Sequence, residues 1–452
     1  MPFKKAPDFE ALARVGLAAP TLLLPSPDVS FEHWAVVACD QYTSQPDYWQ
    51  RVQAHVAGRP STLNVMLPEV YLDQPDTADR VAQINATMSQ YLSAGVLAEE
   101  PPGFMLVERQ TQREHARRGL VVALDLERYD YRAGSMPLIR ATEGTIVDRL
   151  PPRMDIRRHA VIELPHIMVL IDDPDHTVID PLFADAGAPR YEFELMEGGG
   201  HLRGFTVQDE DAINATAHRL AALGTLDQMQ EKYGTRERGV FLYAMGDGNH
   251  SLATAKGIWE ELKGGREAAA MGNHPARYAL VELINVHDRG LHFEPIHRVM
   301  FGINTQAFWA EMDAYFKAAD PSYQRTRGGS DLVRRSLQAG RGETLVGCVD
   351  AEGYCLLQFE KPPHTLAVGT LQAFLDLYLS KHPASAIDYI HGEAVVEDLG
   401  RKPGHAGLFL PPISKHDLFK TVIVDGVLPR KAFSMGDAEE KRFYLEARKI
   451  IS

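Results

Sequence analysis

In FLYAMGDGNHSLATAKGIWEEL, residues 241–262, the pattern changes period at Gly246. VFLYAMG before it reads as a strand, whereas Leu252, Ala255, Trp259 and Leu262 recur at the spacing of one helical face. Asp247-Gly248-Asn249-His250-Ser251 therefore falls at a helix N-terminus, with its free N–H groups and partial positive charge. Asp247 or Asn249 is a natural N-cap, and Gly248 permits a backbone geometry closed to other residues. Capping accounts for the acid, the glycine and the amide. It does not account for His250, a weak helix former in the first turn. A helix N-terminus is a ready anion site, and an imidazole and the Ser251 hydroxyl add donors to it. Gly248, Asn249, His250 and Ser251 are thus candidate phosphate- or nucleotide-binding residues. An acid beside a phosphate makes sense if a divalent cation lies between them, or if the acid is a base for a hydroxyl. Asp247 is the candidate for both roles, and His250 is a further catalytic candidate. The match to a dinucleotide fingerprint is set aside, because Asp247 would face the pyrophosphate and no acid-ended strand follows at the expected distance.

Two other constellations carry chemistry. LIRATEGTIVDRLPPRMDIRRHAVIELPH, 138–166, gathers Arg140, Arg149, Arg153, Arg157 and Arg158 with Thr142, Glu143, Asp148 and Glu163. Arginine forks suit phosphate and carboxylate; a solvated, salt-bridged loop is the alternative. LHFEPIHRVMF, 291–301, places His297 and Arg298 before a strand-like run. Because the dipole of one turn is a weak grip, Arg140, Thr142, Glu143, Arg149, His297 and Arg298 are expected to converge on 247–251, with Glu143 a candidate catalytic carboxylate. No histidine pair has a zinc spacing.

The 452 residues are 45% hydrophobic and 24% charged, the composition of a soluble globular chain of one intricate or two ordinary domains. A net charge of −14 argues against general nucleic-acid binding. No apolar run approaches membrane-span length, and the opening MPFKKAPDFEALARVG lacks a signal-peptide core. Cys39, Cys348 and Cys355 make neither a disulfide framework nor a metal pattern, which is read as a reducing, cytoplasmic setting. Cys39 is expected as a small buried residue. FEHWAVVACD reads as a strand, Ser44 and Pro46 as the cap and first turn of a helix through Val56, Thr77 to Val96 as a further helix, and GFMLVER with GLVVALDLE as a hairpin. HIMVLID and ARYALVELI read as buried strands, and ETLVGCVD with GYCLLQFE as a second hairpin. TLQAFLDLYLS reads as a helix, LFLPPI and TVIVDG as strand-like pieces, and AADPSYQRTRGGSDL, 318–332, as a linker. The expected fold is α/β (mixed α+β): a core over 1–317 that holds the DGNHS box, with a C-terminal α+β portion over 333–452 packed on it.

WAVVACDQYTSQPDYW, LIRATEGTIVDRLPPR, ELPHIMVLIDDP, GDGNHSLATAK, PARYALVELINVHD, FEPIHRV and LPRKAFSMGDAEEKRFYLEARKI together resemble the bacterial and archaeal domain-of-unknown-function family ten-fifteen, along nearly the whole chain. That family's shorter branch reads D-G-H-H-R-Y at the box, which is similar to the G-x-H-R element of the ParB and sulfiredoxin superfamily. The resemblance implies a ParB/sulfiredoxin-like core elaborated with extra strands and helices. It also implies a helix N-terminus that holds nucleotide phosphates, as in free-serine kinases. Asp247, Gly248, Asn249 and His250 fall on the box, whereas Ser251 stands where the family's arginine would grip the phosphate; Arg140, Arg149 or Arg298 could replace it.

Two functions follow. The first is a phosphoryl-transfer enzyme, kinase or phosphatase in direction, on a small metabolite such as serine or phosphoserine, using Mg²⁺ and ATP or ADP. The second is a non-catalytic nucleotide- or phosphometabolite-binding regulator. Either has small phosphorylated molecules as partners, with neither nucleic acid nor membrane, and is compatible with a homo-oligomer.

Overall fold

The computed structural model describes residues 9–43, 45–72, 74–132, 134–144, 150–264, 271, 274–338, 344–424, 426–429 and 431–451. The chain divides into two compact units, Met1–His292 with Met435–Ser452, and Phe293–Ser434. This division differs from the expected 1–317 and 333–452, because the closing motif returns to the first unit. The expected linker contains an edge strand, Gln324–Gly328, in the second unit. An edge strand with an exposed, charged face has the composition of a loop, so its pairing is invisible to patterning.

Nine strands of the first unit form one mixed sheet. They are β1 (Leu17–Ala18), β2 (Phe104–Gln110), β3 (Arg117–Asp125), β4 (Ile139–Arg140), β5 (Met168–Ile171), β6 (Tyr191–Leu195), β7 (Gly200–Val207), β8 (Tyr243–Asp247) and β9 (Tyr278–Asn285). Their order is β6-β7-β2-β3-β9-β5-β8-β4, with β1 beside β3. The predicted hairpin forms, with Met105 opposite Val121. The β9–β5 and β8–β4 pairs are parallel. The apolar runs of β3 and β9 are continuous because both faces are covered. Leu120, Val122 and Leu124 join one core with Leu252 and Trp259, while Val121 joins another with Trp34 and Phe443.

The helices of this unit include α1 (Pro46–Val56), α2 (Thr77–Ser93), α3 (Leu150–Arg158), α4 (Glu210–Leu223) and α5 (Asn249–Lys263). α5 buries Leu252, Ala255, Ile258 and Trp259, but Leu262 is 42% exposed, so the apolar stripe ends a turn early. FEHWAVVACD is a helical turn, Phe31–Trp34, followed by a short strand, Val36–Val37. The turn sinks the Trp34 indole, whose Nε1 donates to the Leu445 carbonyl at 2.9 Å.

In the second unit a six-stranded sheet contains β10 (His297–Phe301), β11 (Gln324–Gly328), β12 (Thr344–Asp350), β13 (Gly353–Phe359), β14 (Ala386–Ile390) and β15 (Ala406–Phe409), ordered β11-β13-β12-β15-β10-β14. The second predicted hairpin is β12–β13, with Cys348 opposite Cys355. TVIVDG, expected as a strand, ends a helix, Lys415–Val424. Leu418, Phe419, Val422 and Ile423 are buried at helical spacing, a period that a four-residue apolar run conceals. Among the described residues no helix is long and apolar enough to cross a membrane.

The tail Met435–Ser452 is held by buried charge. The Arg442 guanidinium meets the carboxylates of Glu282 and Glu446 and donates from Nε to the Pro165 carbonyl at 3.0 Å. Arg448 pairs with Glu163. The side chains of Glu282 and Glu446 are 1% and 0% exposed. Arg442→Met should therefore leave Glu282 to Arg117, 3.8 Å away, and Glu446 to the Tyr191 hydroxyl, and cost about 3–5 kcal/mol. Urea unfolding of parent and variant measures it, and a loss below about 1 kcal/mol would show that the tail is held by other contacts.

Candidate functional site

β8 ends in a bulge: Met245 faces Val169, Asp247 faces Met168, and Gly246 has no partner between them. A Cβ on Gly246 would stand 2.4 Å from Met435 Sδ and 3.1 Å from the Met168 carbonyl oxygen, so only glycine fits. Gly248 follows with φ +81° and is itself the N-cap of α5, with Ile167 Cα 3.0 Å from the place of a Cβ. The expected side-chain caps are therefore absent. Asp247 Oδ1 accepts the neighbouring Gly248 N–H at 2.8 Å, and Asn249 is already the first helical residue. Gly248 has no side chain with which to cap α5, whose first turn holds Asn249, His250 and Ser251. Asn249 Oδ1 is buried with no hydrogen-bond partner among the described residues.

Asp247 Oδ2 receives Lys441 Nζ at 2.9 Å. Burial pushes the Asp247 pKa up, but the charge and hydrogen bond of Lys441 outweigh it and hold the carboxyl below its usual range. Ser251 Oγ lies 2.8 Å from His166 Nε2. His166 Nδ1 lies 2.8 Å from Tyr444 Oη, and that hydroxyl lies 3.1 Å from Cys39 Sγ. Asp40 Oδ2 is 4.0 Å from His166 Nε2. Cys39 is half-buried rather than fully buried as expected, and burial, with Asp40 and Glu69 adding, pushes its thiol far up. His166, Ser251, Tyr444 and Cys39 line one side of a cavity of about 160 Å³. Its remaining wall is largely apolar, with Met66, Ile156 and Leu280, interrupted by the Arg153–Glu69 ion pair. Burial, reinforced by Asp40, raises the Glu69 pKa despite Arg153.

The expected convergence is only partly met. Thr142 is fully buried and donates from Oγ1 to the Met245 carbonyl at 2.6 Å, which braces the strand end. Glu143 beside it is half-buried. Arg140 does not join the turn. Its guanidinium donates to the Pro137 and Arg238 carbonyls and lies 4.9 Å over the Phe241 ring, at the opposite end of β8. Arg149 lies outside the described residues. The second constellation does reach the cavity, through Arg153 and Arg157 on α3. His297 and Arg298 belong to the second unit. There Arg298 is fully buried, donates to Gln372 Oε1 at 3.2 Å and to the Ile296 carbonyl, and stacks on Tyr389. Both are engaged in packing their own unit. Patterning missed His166, Lys441 and Tyr444, which occur only as unremarked letters in ELPHIMVLIDDP and EEKRFYLEARKI.

The family described as "Protein of unknown function (DUF1015)" matches residues 22–378. The chain belongs to that family. Among solved structures, this DUF1015 chain is similar to a free serine kinase in complex with AMP at 9% identity and TM-score 0.38, over 73% of this chain and 92% of that one. A conserved hypothetical protein from Pyrococcus furiosus matches at 9% identity and TM-score 0.37, over 73% and 95%. SbnI from Staphylococcus aureus matches at 10% identity and TM-score 0.33, over 70% and 82%. No curated protein matches the sequence.

His297 supplies a pH test of the second unit. Its Nδ1 accepts the Leu410 N–H at 3.1 Å, and burial, with the Arg298 and His391 charges, lowers its pKa to about 4. The folded value lies below the unfolded one, so the unfolded chain binds the extra proton. The stability from neutral His297 is complete above about pH 6.5 and is lost as pH falls toward about 4, roughly 3 kcal/mol in all. Hydrogen exchange at the Leu410 segment should accelerate over that window, beyond its intrinsic pH trend, and much less so in His297→Gln. Equal behaviour of the two proteins would refute the assignment.

Proposed function

We propose that the protein is a phosphoryl-transfer enzyme for a small metabolite, with serine and phosphoserine the first candidates and an adenine nucleotide as the other substrate. The observation that carries this reading is the ammonium of Lys441, 2.9 Å from Asp247, the residue just before the Gly248 N-cap of α5. A helix N-terminus and a cation beside it suit a phosphate. Lys441 brings the charge that the family's shorter branch carries as arginine in the box. An arriving phosphate competes for Lys441 Nζ, which frees Asp247 Oδ2 to accept the proton of an attacking hydroxyl. The cavity beside Ser251 offers room for the metabolite.

Mg²⁺ is less well supported. Among the described residues no group of three or more His, Cys, Asp or Glu side chains could hold a metal ion, and Asp247 already faces an ammonium. These residues do not fit a protein-built Mg²⁺ site. A regulator would use the same grip without the base, so Asp247 separates the two readings.

Calorimetric titration with ATP, ADP and phosphoserine tests the proposal. Lys441→Ala and His250→Ala should each weaken binding by about tenfold to a hundredfold, the loss of a charge-assisted bond. Ser251→Ala should weaken it only a few-fold. Asp247→Asn should bind normally and turn over nothing; normal function in that variant would favour the regulator. If the parent binds none of these ligands, the proposal falls.

A further inference from the structure

The hydrogen-bonded series Ser251–His166–Tyr444 does more than hold a phosphate. Ser251 sits in the first turn of α5 with its hydroxyl 2.8 Å from an imidazole nitrogen, within reach for proton transfer. The other imidazole nitrogen is fixed at 2.8 Å by a buried tyrosine hydroxyl. A nucleophile, a base and a group that orients the base, in that sequence, are the parts of an activated serine. All three line the cavity, so they border space that a ligand can enter. The imidazole ring is edge-on to the Tyr444 ring, at 88° and 5.4 Å between centroids, which limits its rotation. A serine that only filled a helix turn would need none of this.

We propose that Ser251 is a covalent nucleophile that carries the phosphoryl group between donor and acceptor, with His166 as its base. This rests on the phosphoryl-transfer reading and adds a two-step course to it. In the first step Ser251 Oγ attacks the terminal phosphorus of ATP. The Oγ–P bond forms, the bond from that phosphorus to the bridging oxygen breaks, and ADP leaves with the electron pair. The hydroxyl proton passes to His166 Nε2, in the tautomer whose Nδ1–H is given to Tyr444 Oη. In the second step the acceptor hydroxyl attacks the same phosphorus and gives its proton to Asp247, from which it reaches solvent. The Ser251–phosphorus bond breaks, and His166 returns its proton to Oγ. The sum is ATP plus alcohol giving ADP, phosphomonoester and one proton. The first-turn N–H groups of α5 face the phosphoryl oxygens in both steps.

The first test needs no nucleotide. Diisopropyl fluorophosphate phosphorylates activated serines, and intact-mass and peptide mass spectrometry of the full chain locate the adduct. Ser251 should be labelled in the parent and the adduct absent in Ser251→Ala. His166→Asn should slow labelling at least a hundredfold, and Tyr444→Phe, which keeps the ring, about tenfold. Labelling of Ser251 no faster than of surface serines, or equally fast in His166→Asn, overturns the proposal. The second test is exchange of labelled ADP into ATP with no acceptor present, which requires a phosphoenzyme and should vanish in Ser251→Ala. If ATP is bound and its phosphoryl group transferred while exchange is absent and Ser251→Ala transfers at the parent rate, the nucleophile is refuted and the phosphoryl-transfer reading stands. If Ser251 is labelled but no nucleotide binds, the phosphoryl-transfer reading falls and the activated serine stands.

Discussion

Burial of Arg442 is the constraint on which the first unit depends. A guanidinium enclosed at this depth is tolerable only with its charge matched and its donors used, and Glu282, Glu446 and the Pro165 carbonyl do that together. Glu282 lies at the centre of β9, next to β3 and β5 in the sheet. Glu446 lies on the tail and also accepts the Tyr191 hydroxyl of β6. The tail is thus fixed to β9 by Arg442 and to β6 by Glu446, with the Pro165 carbonyl as a third anchor. With Arg442 fixed, its chain neighbour Lys441 has little freedom, and its ammonium falls on Asp247. Arg109 reinforces the placement by donating to the carbonyls of Lys441 and Glu439. The tail is therefore part of the site, although it follows the 247–251 turn by nearly two hundred residues of chain.

The dependence runs both ways. Met435 Sδ occupies the space that a side chain on residue 246 would fill, so the glycine in the β8 bulge and the docking of the tail require each other. The bulge re-aims the end of β8, so that Asp247 rather than Gly246 faces Met168. Gly248 then takes a left-handed conformation against Ile167 and starts α5 without a side-chain cap. The glycine itself supplies no side-chain oxygen to the first turn.

What could be read from sequence follows from range. The strand-to-helix change at Gly246, the two hairpins and the helices α1 and α2 are local patterns, and they form as the residues predict. Two errors arose where tertiary demand overrides a short pattern: the burial of Trp34 within FEHWAVVACD, and the helix that ends in TVIVDG. The site was legible in its box and not in its partners. Arg140 has the residue type for a phosphate grip, but β4 places it at the far end of β8, where carbonyls use its donors. Lys441, His166 and Tyr444 had no spacing to announce them, because their relation to Ser251 and Asp247 is created by the sheet order and by the returning tail.

The same geometry explains why an acid stands at the mouth of an anion site. A bare helix N-terminus with a free lysine would bind any small anion, and the lysine would be costly to hold half-enclosed without a counter-charge. Asp247 provides that counter-charge, and Lys441 in turn holds its carboxyl below the usual range despite burial. A phosphate with two charges can displace the carboxylate from the ammonium more readily than a singly charged anion can, so the ion pair acts as a charge filter. On the proposed function, a displaced Asp247 would lose the lysine that lowers its pKa, and burial would then favour its taking a proton, as a base requires.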